Sequence, residues 1–157
     1  MILGIDPGTG ILGFGVIEIK SAYQPKLVDA GVIRTPVKQA DSERLATIYQ
    51  ELQDLIRQLK PQIMVVEKLF FAQNITTAMS VAQARGVVLL CGHQNSLELF
   101  EYTPLQVKQA LTGYGRADKR QIQEMVKVML GLKDIPQPDD AADALAVAIT
   151  HSMTMRA

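Results

Sequence analysis

Residues 136–153, PQPDDAADALAVAITHSM, constrain the fold of this chain more than any other stretch. After two prolines the segment reads as a helix that is apolar on nearly every side, and such a helix has to be buried. The cover it needs is broad, which calls for a sheet. Asp140 and Asp143 are three residues apart, so they share one helix face and are carried toward that sheet. A buried aspartate without a partner is costly, so Asp143, set among alanines, leucine and valine, requires a counter-charge.

The cover is found earlier in the chain. MILGI, GFGVIEIK and KLVDAGVIRT are three β-rich runs separated by glycines, and they predict an antiparallel meander joined by tight turns. IMVVE, a continuous apolar run after a helix, has the pattern of a parallel strand covered on both faces, and LELFEY reads as a fifth strand. Between the third and fourth strands, Leu45, Ile48, Tyr49, Leu52, Leu55, Ile56 and Leu59 recur at helical spacing, from a cap at Asp41 or Ser42 to a stop at Pro61. A second helix over roughly residues 75–94 has little polar face toward its C-terminal end, so it is buried or meets a partner. Thr103, Pro104 and Gln106 form a capping box for a short helix ending at Gly113, and Asp118 with Gln121 caps another that ends at Gly131.

This order predicts an α/β fold: a five-stranded mixed sheet, three strands antiparallel and two added in parallel beside the first, with helices on both faces. At 157 residues and 48% hydrophobic content, one domain over residues 1–157 is expected. No apolar stretch approaches the roughly 20 uncharged residues of a membrane span, and the N-terminus lacks the basic start and long apolar run of a signal peptide, so a cytoplasmic protein is expected. Cys91, the one cysteine, reads as a small core residue, and no Cys/His spacing suits a zinc site.

The formal charge is zero and the pI near 6.7, which argues against a broadly basic nucleic-acid coat. The distribution is uneven, however: net −1 over residues 1–103, +4 over 104–133 and −3 over 134–157. A basic block leading into an acidic one suits a polyanion held beside a metal, although a solvated helix face has similar counts.

The acids can now be placed. Asp6 ends the first strand and Glu67 the fourth, and a right-handed crossover sets those strands side by side, both ending at one sheet edge. With Asp140 and Asp143 brought in by the last helix, four carboxylates converge, and such groups raise one another's pKa. A hard divalent cation relieves the repulsion, and two Mg²⁺ about 4 Å apart would clamp the attacking and leaving oxygens of a phosphodiester. Each acid alone has a plainer use: Asp6 before Pro7 and Gly8 suits a turn, and Asp139 and Asp140 suit a first helical turn. GIDPGTG also keeps a second reading, a glycine turn cradling nucleotide phosphates as in actin-like ATPases and sugar kinases. That architecture needs two such domains, and 157 residues do not hold a second.

GIDPGTGILGFGVI, VVEKLFFAQN, QARG, FEYTPLQVKQALTGYGRADKRQIQ and DDAADALAVAITH together resemble the RuvC family of bacterial Holliday-junction resolvases, in the RNase H-like (retroviral integrase) superfamily. The resemblance runs essentially end to end. It implies an RNase H-like fold and an endonuclease of recombination and repair that makes paired nicks across a four-way junction, leaving 5′-phosphate and 3′-hydroxyl ends. It implies Asp6, Glu67, Asp140 and Asp143 as the catalytic set, holding two Mg²⁺ (or Mn²⁺), although some relatives place histidine where Asp140 stands. It further implies Lys108 and Lys119 close to the DNA backbone, with Arg116 and Arg120 flanking Lys119. Phe70 would stack on an unpaired junction base and Phe71 would lie in the core. A homodimer through the helix at about 75–90 and the branch-migration proteins RuvA and RuvB are the implied partners. His93 and His151 fall outside the motif positions and are expected to be structural or surface residues. The chain ends soon after its last helix without the basic tail some relatives carry, so modest or salt-sensitive DNA affinity is expected. A YqgF-type nuclease acting on RNA shares the opening motif, but VVEKLFF and DDAADALA favour the resolvase, and the full acidic set disfavours a non-catalytic junction-binding protein.

Overall fold

In a computed structural model that describes residues 1–20, 24–68 and 74–155, five strands follow the expected order. They are β1 (Ile2–Asp6), β2 (Ile11–Ile19), β3 (Pro25–Arg34), β4 (Ile63–Glu67) and β5 (Glu98–Tyr102). Across the sheet they lie as β3-β2-β1-β4-β5, with β2 antiparallel to both β1 and β3, and β4 parallel to β1 and β5. This is the mixed sheet that the sequence predicts. Because β1, β4 and β5 run in parallel, Asp6, Glu67 and Tyr102 finish at one edge.

Side chains alternate across the strands and divide the core into two layers. On one face Leu3, Ile5, Leu12, Val16, Met64 and Val66 pack against α1 (Asp41–Leu59) and α2 (Ile75–Gln94). On the other, Ile2, Ile17 and Val65 pack against α3 (Pro104–Thr112), α4 (Lys119–Leu130) and α5 (Asp139–Thr154). The expected capping boxes form. Thr103 Oγ1 accepts the Gln106 N–H at 3.2 Å and Gln106 Oε1 accepts the Thr103 N–H at 2.8 Å; Asp118 and Gln121 do the same for α4, both at 2.8 Å.

Two expectations need correction. Helix α1 is capped at Ala40, not Asp41 or Ser42: the Glu43 carboxylate accepts the Ala40 N–H at 3.2 Å, and Asp41 becomes a first-turn acid that the helix dipole favours. Helix α2 has 20 residues and a mean hydropathy of 1.3, long and apolar enough by composition to cross a membrane. Its apolar residues instead serve the sheet on one side, where Ala84, Val88 and Cys91 are buried, and its Arg85 is ion-paired with Glu101 on β5.

Helix α5 lies almost in contact with the sheet backbone, because glycines stand beneath it. A Cβ on Gly4 would meet the Ala144 carbonyl oxygen at 2.1 Å, and one on Gly13 would meet that of Asp140 at 2.0 Å. Both glycines lie inside strands, Gly4 in MILGI and Gly13 at the start of GFGVIEIK, as the β-rich runs predict. An isolated glycine within a strand pattern is the signal of close backbone approach.

Candidate active site

Asp6 and Glu67 end adjacent parallel strands, and each carboxyl lies close enough to perturb the other. Asp140 and Asp143 reach the same edge from the first turns of α5, where neighbouring residues Ala141, Ala142 and Ala144 are fully packed and fix the helix rotation. Asp6 feels Glu67, Asp143 and Asp140 together. Burial first, then the negative charge of those neighbours, pushes the Asp6 carboxyl up to about 8. Burial also raises Glu67, opposed by the neighbouring Asp6, Lys119 and Lys108 and reinforced by Asp143. Asp143 is raised too, by burial against the pull of Lys119. The cluster holds more negative charge than its surroundings neutralise.

The basic residues close the other side. Glu67, Asp143, Lys108 and Lys119 line one cleft of about 180 Å³, walled by Pro104, Val107 and Ile122. Lys119, the first residue of α4, places its Nζ 3.1 Å from Asp143 Oδ2 and 3.4 Å from Asp139 Oδ2. Its burial disfavours the charged form, but the two aspartates outweigh this and raise its pKa. Arg116 is exposed, and Arg120 is turned to Glu124 at 3.4 Å, so neither joins the cleft lining. Phe70 and Phe71 lie outside the described residues.

Among the described residues, no three His, Cys, Asp or Glu side chains are placed so that they could together hold a metal ion. One of the carboxylates already has a partner, Asp143 with the Lys119 ammonium, and Asp6 faces the carboxyl of Glu67. The donor set nevertheless fits a hard divalent cation, because it is all oxygen, partly buried and short of counter-charge.

Thr9 and Thr35, which the sequence reading did not single out, fix the turn after Asp6. Thr9 Oγ1 donates to the Ser80 carbonyl on α2 at 2.7 Å, and Thr35 Oγ1 donates to the Thr9 carbonyl at 2.5 Å. The Arg44 Nε–H donates in turn to Thr35 Oγ1 at 2.9 Å. GIDPGTG is therefore a strand end with a tethered turn. His151 is structural, as expected: it is buried in α5, its Nδ1 shares a 2.9 Å hydrogen bond with Tyr102 Oη, and its ring lies 4.1 Å from that of Phe100. His93 is exposed.

The family model described as crossover junction endodeoxyribonuclease RuvC matches residues 2–151. The chain belongs to the RuvC family. It is 56% identical over 152 residues to the RuvC of Desulfitobacterium hafniense (strain DSM 10664 / DCB-2), covering 97% of this chain and 92% of that protein. Identity to the RuvC of Caldicellulosiruptor saccharolyticus is 51% over 153 residues, with 98% and 92% covered. Among solved structures, Thermus thermophilus RuvC in complex with a Holliday junction substrate matches with a TM-score of 0.93 at 37% identity, covering 99% of this chain and 94% of that one. The yeast mitochondrial resolvase Ydc2, at 12% identity and a TM-score of 0.71, shares the fold. RuvC-family membership carries with it divalent-metal-dependent nuclease chemistry.

Proposed function

We propose that this chain, acting as one domain, resolves four-way DNA junctions by paired phosphodiester hydrolysis that leaves 5′-phosphate and 3′-hydroxyl ends. One observation carries the reading: strand-end and helix carboxylates meet Lys108 and Lys119 around a single cleft in a chain matched by the RuvC family from end to end. Asp6, Glu67, Asp140 and Asp143 would hold two Mg²⁺, with Mn²⁺ as a substitute. Ions bound there supply Lewis-acid polarisation of the phosphodiester and an activated water. Lys108 and Lys119 neutralise the backbone phosphate, and Lys119, already held by Asp139 and Asp143, positions it against the carboxylates. Arg116 and Arg120 extend the positive rim outward, and Phe70 stacks on an unpaired base.

Nearly two-fold junctions need two sites, which a homodimer supplies. Helix α2 supports that assembly through exposed apolar side chains, Ile75 at 75%, Met79 at 62% and Leu90 at 51%. RuvA and RuvB are the protein partners of this reading, and a chromosomal DNA substrate places it in the bacterial cytoplasm.

Incubating the protein with a synthetic four-way junction and with linear duplex, with and without Mg²⁺, tests the proposal. Symmetric nicks in the junction alone, dependent on metal, are expected. Equal cutting of duplex, preference for RNA, or no cutting with Mg²⁺ present overturns it.

A further inference from the structure

Beside the carboxylate cleft lies a second hollow of about 230 Å³, lined by Pro104, Leu105, Lys108 and Gly115. It shares Pro104 and Lys108 with the cleft, so the lysine stands between an acidic chamber and an apolar one. Leu105 is 53% exposed, and Tyr114, on the turn that edges the hollow, is 56% exposed. The turn is tied down. Gly113 takes the left-handed conformation at φ +71°, and Thr112 Oγ1 accepts the Tyr114 N–H at 3.1 Å while donating to the Lys108 carbonyl at 2.7 Å. One hydroxyl thus links the tyrosine to the helical turn that presents the lysine. Gly115 keeps the hollow open: a Cβ there would press on Leu105 Cδ1 at 2.7 Å.

An apolar hollow next to a cation that adjoins a phosphodiester site suits one kind of group, a nucleobase attached to its own phosphate. A rigid aromatic on a pinned turn loses little entropy when a base stacks on it, and such stacking tolerates any base while favouring those that stack best. We infer that the hollow receives the nucleobase next to the scissile phosphate, with that nucleotide's phosphate on Lys108, and that Leu105 and Tyr114 set base preference at this position. The inference rests on the proposed junction cleavage and adds to it a specificity-determining subsite.

Both side chains are exposed, so substitution leaves the core intact. The test compares wild type with Tyr114→Ala, Tyr114→Phe and Leu105→Ser on junctions carrying each of the four bases beside the cut. A 2-aminopurine placed at that position reports stacking in junctions bound in Ca²⁺. Wild type and Tyr114→Phe are expected to change the 2-aminopurine emission and to discriminate between bases. Tyr114→Ala and Leu105→Ser should lose the emission change and about tenfold of the discrimination, with the salt slope of junction binding unaltered. Unchanged preference and emission in both variants would overturn the inference while leaving junction cleavage standing. A changed salt slope with unchanged preference would also overturn it, marking a phosphate contact instead. Wild type that cuts no junction would remove the functional reading, and this inference with it.

Discussion

Gly13 lies directly beneath Asp140, so close that a Cβ on the glycine would stand 2.0 Å from the aspartate's carbonyl oxygen. Gly13 is also the register partner of Asp6. One backbone contact therefore sets how far the helix-borne carboxylates stand from the strand-borne ones. Gly13→Ala should push α5 outward and cost about 1–3 kcal/mol of stability, as overpacking does. Junction cleavage should fall by about 100-fold even where the protein remains folded, because an ångström of misplacement is enough. Thermal melts and single-turnover cleavage check both, and near-normal cleavage would show that the contact does not set the site.

Asp6→Asn should abolish cleavage yet stabilise the metal-free protein. The folded-state pKa of Asp6, about 8, lies above its ordinary value of 3.8, so the native state binds more protons than the unfolded state between those limits. Stability is therefore lost as pH rises through that window, and the loss is complete above it. Removing the charge should recover about 0.5–2 kcal/mol at pH 8, the common gain of a single stabilising substitution. Denaturant melts in EDTA measure the gain, and added Mg²⁺ should stabilise wild type more than the variant.

Lys108→Ala and Lys119→Ala should each weaken junction binding and reduce the slope of log K against log salt by about 0.9, the value of one phosphate contact. Arg120→Ala should change the slope less, because its side chain is 77% exposed and turned to Glu124. Binding titrations across a salt series decide this. An unchanged slope at either lysine removes its phosphate role.

His151 supplies a pH dependence of its own. Burial lowers its pKa below the ordinary 6.5, so the unfolded state binds the extra proton first as pH falls. Its contribution is fully present above pH 6.5 and is lost as pH drops through the folded-state value. His151→Phe keeps the contact with Phe100 and should flatten the decline in stability below pH 6.5, seen in denaturant melts across pH.

Met79→Glu places a charge on the bare stripe of α2. If that stripe joins two copies, sedimentation should show a monomer that has lost paired nicking, with its melting temperature little changed.

Much of this protein was legible in its residues. The strand order, the capping boxes at Thr103 and Asp118 and the stops at Gly113 and Gly131 follow from periodicity and capping chemistry, which act within a few residues. The cap of α1 was misplaced because Asp41 suits both a cap and a first helical turn. The four acids could be named, since carboxylates on an apolar strand end and an apolar helix need a partner. Phe70, by contrast, lies outside the described residues.

Only the tertiary structure decided how close those acids stand and what holds them. Nothing local in the glycines of β1 and β2 shows that α5 lies over them, and the Lys119 pairing with Asp143 spans two separate helices. The Thr9 tie to Ser80 joins residues 71 positions apart. Periodicity and capping record what each segment does by itself. Distances between segments depend on packing, where one absent Cβ lets a helix descend onto a sheet and carry its aspartates toward the strand ends.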